Sequence, residues 1–186
     1  MSKIILGFVG LMASGKGTAA HYLREKYGAD TFRFSTMLRD VLNRFHIAET
    51  RDNIIKLSEI IRGTFGEDTM ARTMALDAET SANHMIIVEG VRREADIAYL
   101  SKLPNFVLVE IFAEPKLRHQ RLNLRRENPD DATKTFEQFM ADHERSTELS
   151  ILPVAAKATE RIDNNGTREQ LREQLDVLVK KYAGKV

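Results

Sequence analysis

KIILGFVGLMASGKGTAAHYLREKYG, residues 3–28, decides how this chain is read. Apolar and β-branched residues run from Ile4 to Val9 and stop at Gly10, the pattern of a buried strand entering a turn. Gly15, Lys16, Gly17 and Thr18 follow, and a helical pattern begins at once and ends at Gly28. A strand, a glycine-rich turn and a helix in that order make a phosphate-binding loop. The glycines let backbone N–H groups curl around phosphate oxygens without Cβ clashes. The helix aims its positive dipole end at the same anion, and Lys16 adds a point charge for the outer phosphates. Gly10, Ala13, Ser14, Gly15, Lys16, Gly17 and Thr18 are therefore candidate nucleotide-binding residues. The hydroxyl that usually follows the lysine, and would meet magnesium, is displaced by one place to Thr18.

Working outward, 186 residues suffice for one domain with helices on both sides of a sheet. Apolar residues make up 42% and charged residues 30%, as in ordinary soluble domains. A formal net charge of +1 argues against a broad basic surface built for nucleic acid. With no cysteine, disulfides and Cys-ligated zinc are excluded, which fits a reducing interior. No stretch approaches the roughly 18–20 apolar residues of a membrane span. The N-terminal apolar run is too short for a secretory signal, so a cytoplasmic protein is expected.

Phe32 and Phe34 alternate with polar neighbours in TFRFS, which reads as a second strand over residues 31–35. Met37, Leu38, Val41, Leu42 and Phe45 recur at helical spacing, and a further helix is expected from about Thr50 to Ile61. After a break near Gly63–Gly66, a third passes through Met70 and Met74 with Glu67 and Asp68 in its first turn. Met85 to Val88 and residues 105–112 read as strands buried on both faces. Residues 94–102 read as a short helix, and an arginine-rich helix starts near Pro115. A polar turn at 127–134 precedes a helix marked by Phe136, Phe139, Met140 and His143. A short strand at Arg161–Ile162 meets DNNG, and Thr167 with Gln170 forms a capping box before the last helix. Strands alternating with helices make the class α/β with a mainly parallel sheet.

Three segments carry further chemistry. Ser35 and Thr36 close the second strand and Arg39 follows one turn on, where ligands sit in open α/β sheets. Arg39 could grip a phosphate through two parallel hydrogen bonds, or Ser35 could simply cap a helix ahead of a solvated arginine. Glu89 ends a buried strand, the place from which a carboxylate organises a magnesium shell, and Arg92 and Arg93 follow it. Arg118, Arg121 and Arg125 fall at i, i+3 and i+7 on one helix stripe. They could neutralise a phosphoryl group in transfer or form a solvated basic face paired with Glu127, Asp130 and Asp131. The five histidines show no metal-ligand spacing.

Together these segments resemble nucleoside monophosphate kinases, the adenylate kinase group of P-loop phosphotransferases. That family carries G-K-G-T, matched by Gly15-Lys16-Gly17-Thr18, which accounts for the displaced hydroxyl. Its S/T-G-D-M-L-R segment is matched by Ser35-Thr36-Met37-Leu38-Arg39 without the Gly-Asp, and its D-G-F-P-R by Glu89-Gly90-Val91-Arg92-Arg93. Its base loop is matched by DNNGT, residues 163–167. The chain looks closest to compact adenylate-kinase-related proteins of archaeal type, themselves similar to dephospho-coenzyme A kinases. The resemblance implies a three-layer α/β/α P-loop NTPase fold with a five-stranded sheet. It implies an acceptor-binding helical insertion at about 36–82 and a short lid at about 118–140. It implies transfer of the γ-phosphoryl group of ATP with Mg²⁺. Lys16, Arg118, Arg121 and Arg125 would be catalytic, with Arg126 beside them, and Thr18 and Glu89 would lie by the metal. Asn164, Gly166 and Thr167 would sit by the adenine, and Ser35, Arg39, Arg62, Gly90, Arg92 and Arg93 by the acceptor. Glu67 and Arg72 lie in the same region. The expected partners are small nucleotides, with the protein a monomer or homodimer. A nucleoside monophosphate is the first acceptor considered and the ribose hydroxyl of dephospho-coenzyme A the second, with Asp40 or Glu89 as its base. A nucleotide-dependent switch or assembly ATPase is the competing class.

Overall fold

The computed structural model describes residues 3–125, 133–143 and 146–183. Five strands form one sheet: β1 (Ile4–Val9), β2 (Asp30–Arg33), β3 (Met85–Glu89), β4 (Phe106–Phe112) and β5 (Glu160–Asp163). Their order is β2-β3-β1-β4-β5, and every pairing is parallel. Parallel neighbours need crossovers, which the helices supply: α1 (Lys16–Tyr27), α2 (Phe34–Arg44), α3 (Arg51–Phe65), α4 (Thr69–Thr80) and α5 (Glu94–Ile97). They continue as α6 (Pro115–Arg125), α7 (Phe136–Asp142), α8 (Ser146–Leu149), α9 (Ile151–Ala155) and α10 (Arg168–Ala183).

The period-2 alternation of β1 divides the core. Leu6 and Phe8 face a cluster with Ala19 and Leu23 of α1 and Leu171 and Leu175 of α10. Ile5 and Val9 face the opposite cluster, with Phe34 and Leu38 of α2, Met70 and Met74 of α4 and Val154 of α9. The sheet is thus covered on both faces, as its continuous apolar strands require.

Three local expectations change. β2 stops at Arg33, and Phe34–Ser35 open α2, because Phe34, Leu38 and Leu42 form a buried i, i+4, i+8 stripe that outweighs the short alternation. α3 runs on through Gly63 to Gly66, whose φ of +109° ends it. Glu67 and Asp68 precede α4 rather than lying inside it, and Asp68 accepts the Tyr99 hydroxyl. The capping box of Thr167 and Gln170 forms as read, at 2.8 and 3.2 Å. Of the expected lid, α6 and α7 are described, whereas Arg126 and the polar turn through residue 132 lie outside the described residues.

Candidate active site

The phosphate loop joins β1 to α1 at the carboxyl edge of the sheet. A Cβ on Gly10 would lie 2.4 Å from the Ile111 carbonyl oxygen, so no side chain fits where the loop crosses β4. Gly15 holds φ +103°, and a Cβ there would lie 2.1 Å from Asn164 Nδ2. Ala13 adopts φ +60°, a left-handed conformation that favours glycine. Gly15 also offers α1 no capping side chain, and the first turn holds no acid, so the helix end is left open for an anion.

Each part of the loop is held from outside. Asn164, at the end of β5, donates from Nδ2 to the Ser14 carbonyl at 2.8 Å. Arg118 on α6 is 2% exposed; it donates to the Ala113 and Met12 carbonyls at 3.0 and 3.2 Å and lies over the Phe139 ring. Met12 N–H in turn donates to Glu148 Oε2 at 3.1 Å. Arg121 donates to the Asn164 carbonyl at 2.8 Å, while its Nη1 is buried with no partner among the described residues. The buried Ser14 Oγ is likewise unpartnered among the described residues. Arg118 is therefore placed beneath the loop rather than on an open lid face. Arg125 ends α6, and its side chain lies outside the described residues. Gly166 and Thr167 are exposed, with Thr167 Oγ1 spent on capping α10.

Lys16 folds back so that Nζ donates to the Gly10 and Leu11 carbonyls at 2.6 and 3.0 Å. Burial brings its pKa down to about 8; Glu148 and Glu89 oppose that shift, and Arg92 and Arg118 add to it.

Glu89, at the carboxyl end of β3, is 6% exposed. Arg33, its register partner on β2, grips both carboxylate oxygens at 3.1 and 2.9 Å. A Cβ on Gly17 would approach Glu89 Oε2 to 3.9 Å, so this carboxylate flanks the first turn of α1. Sequence reading missed Arg33; its signal was a cation at the end of a strand parallel to the one ending in Glu89. Magnesium takes oxygen ligands and is held by one or two carboxylates with substrate phosphates. Glu89 and the exposed hydroxyl-bearing Thr18 offer a donor set of that kind, and no group of three or more His, Asp or Glu that could hold a metal occurs among the described residues.

A polar cleft of about 350 Å³ opens beside Gly17 and Glu89, lined also by His21, Arg24, Thr31, Arg33 and Thr36. The larger cleft of about 600 Å³ lies elsewhere, between Glu94–Ser101 and Lys157. Of the expected acceptor residues, Ser35 opens α2, and Arg39 is ion-paired with Glu49. Arg62 donates to Ser58 Oγ and has its pKa lowered by burial and then by Arg93, with Asp96 and Glu67 opposing. Arg92 and Arg93 leave β3 after Gly90 (φ +82°), with both backbone N–H groups on Asp96 Oδ2 at 2.9 Å. Arg92 and Arg93 are both exposed, while Arg39 is engaged with Glu49. Arg72 pairs with Asp68 at 3.6 Å.

Solved structures share this architecture. A shikimate kinase from Bacteroides thetaiotaomicron superposes with a TM-score of 0.66 at 16% identity, covering 96% of this chain and 97% of its own. A gluconokinase from Sinorhizobium meliloti gives 0.56 at 13% identity, covering 97% and 94%. The chain is also 28% identical over 177 residues to a UPF0200 protein of Sulfurisphaera tokodaii, covering 95% of this chain and 96% of that protein. The expected resemblance to P-loop kinases of archaeal type is upheld. The family described as an AAA domain matches residues 9–137, and the chain, with its P-loop kinase-like fold, belongs to that family.

Proposed function

We propose that this protein transfers the γ-phosphoryl group of ATP to a nucleoside monophosphate. The observation that carries the reading is the loop itself: Gly15 leaves the first turn of α1 with no capping side chain and no acid, and Lys16 stands at that open helix end. Such an anion-receiving helix end with a lysine suits a reaction in which phosphate charge must be neutralised. Lys16 and the open first turn of α1 hold the donor phosphates. Arg118 and Asn164 fix the loop backbone from below, so its N–H groups need no rearrangement when phosphate arrives. Arg121 Nη1 supplies a further donor from α6. Arg92 and Arg93, with Arg62 behind, hold the acceptor. An oxygen of the acceptor phosphate bonds to the γ-phosphorus as the bond to the β-phosphate bridge breaks, leaving ADP. Bound magnesium, held by Glu89 and Thr18 together with the phosphates, would supply further charge neutralisation.

A phosphate acceptor needs no protein base, whereas a ribose hydroxyl does. Glu89 is assigned to the metal and Asp40 lies exposed on α2, so neither is offered as a base, which favours the monophosphate over dephospho-coenzyme A. The test is transfer from Mg-ATP to AMP, CMP, UMP, GMP, dTMP, dephospho-coenzyme A, shikimate and gluconate, with a no-acceptor control. Rapid conversion of one monophosphate to its diphosphate is expected. Slow hydrolysis that no acceptor accelerates would sink the reading and point to a nucleotide-dependent switch.

A further inference from the structure

One carboxylate stands where the site should favour anions from outside. Glu148, on α8, is 8% exposed and accepts the Met12 N–H at 3.1 Å. Met12 belongs to the arm of the loop that precedes Ala13, away from the Gly15–Thr18 turn of α1. The Met12 carbonyl in turn accepts from Arg118 at 3.2 Å, so both main-chain groups of Met12 are held by buried charged side chains. The Glu148 charge is the leading one opposing the depressed pKa values of Lys16 and Arg118. In such loops the helix end cradles the inner phosphates and the lysine reaches the outer ones. A carboxylate on the Met12 arm, away from that helix end, therefore sits toward the outer-phosphate end.

We propose that Glu148 sets the phosphate-number preference of the nucleotide site: its carboxylate takes the place of the outermost phosphate, so the resting site matches a nucleoside diphosphate and a triphosphate enters by expelling it. This rests on the nucleotide reading of the loop and adds to it a specificity-determining residue. A diphosphate leaves the Met12 N–H to Glu148. A triphosphate brings its own negative charge to the same donors, and two anions in one cradle repel. Entry of the γ-phosphate is thereby coupled to movement of α8, and departure of the transferred group lets Glu148 return. A buttress with no such role, like Asn164, would affect both nucleotides equally.

The experiment is calorimetric titration of wild type and Glu148→Gln with ADP and with a non-hydrolysable ATP analogue, using Lys16→Ala as control. Gln keeps an oxygen for Met12 N–H and removes only the charge. The expected result is about a tenfold gain in triphosphate affinity in Glu148→Gln with diphosphate affinity within about threefold of wild type. Equal changes for both nucleotides, or weaker triphosphate binding, would overturn the proposal. Wild type that binds neither nucleotide would instead defeat the loop reading itself. Independently of that variant, the chain has no tryptophan, so Leu149→Trp, at a half-exposed position beside Glu148, gives a single reporter. Its emission should shift with the triphosphate and not with the diphosphate; an identical response to both overturns the proposal.

Discussion

On the donor side of the site, side chains reach across the chain; on the acceptor side they reach to near neighbours. Asn164 bonds Ser14 across 150 positions, Glu148 bonds Met12 across 136 and Arg118 bonds Met12 across 106. Arg39 bonds Glu49 ten positions away, and Arg62 bonds Ser58 four away. The loop is consequently fixed from α6, α8 and the end of β5. α2 and α4 are tied to the sheet through Phe34, Leu38, Met70 and Met74, whereas α3 between them buries only Ser58 among its described residues, and Phe45 and Phe65 are 69% and 67% exposed. A firmly held loop beside a loosely tied α3 is what the proposed transfer would need, one substrate held in place and another closed over.

The comparison can be broken most directly at Lys16. Lys16→Ala should cut nucleotide affinity and any phosphoryl transfer by about 10²–10³-fold while the circular dichroism spectrum stays native. Retained binding would mean that the loop is not the donor site. Gly15→Ala tests the long-range anchoring, since its Cβ would press on Asn164 in a left-handed backbone. A stability loss of about 2–4 kcal/mol in urea unfolding is expected, together with weakened nucleotide binding.

Titration sharpens the same contrast. Lys16 releases its proton near pH 8 in the folded, ligand-free protein and near 10.5 when exposed. The unfolded chain thus holds more protons between these values, and stability should rise with pH across that window. A bound phosphate favours the charged lysine, so nucleotide affinity should be greatest below pH 8 and fall as pH rises through it, with proton uptake on binding. Calorimetry in buffers of different ionisation enthalpy reads this uptake, and Lys16→Met should abolish it. The smallest effect belongs to the acceptor side: Arg39→Ala removes an exposed ion pair with Glu49 and should leave the melting temperature and nucleotide affinity unchanged. A rise in KM for the acceptor in this variant would show that Arg39 leaves Glu49 to take part in the site.

The loop, the strands β1, β3 and β4 and the last helix with its capping box were legible because their signals are local. An apolar run, a glycine at a forced turn and a Thr-x-x-Gln pair each state their own conformation. The end of β2 was not, because Phe34 satisfies both a strand's alternation and the i, i+4 stripe of α2, and packing against the second core cluster chose the latter. The fork of Arg33 on Glu89 was hidden in the same way, since it depends on β2 lying beside β3 in register.

Sequence alone determined that phosphate is bound, where the loop lies, and that strands and helices alternate, since backbone geometry and hydrophobic period are written within a few residues. Tertiary structure decided which cations lie against the loop. Arg118 and Arg121 lie one helical turn apart on α6, yet one is locked beneath Met12 and the other keeps a buried donor without a partner among the described residues. That difference arises from where α6 meets the loop and β5. Glu148 carries no signal of its own in the sequence, and only the fold brings its carboxylate to the Met12 N–H of the loop.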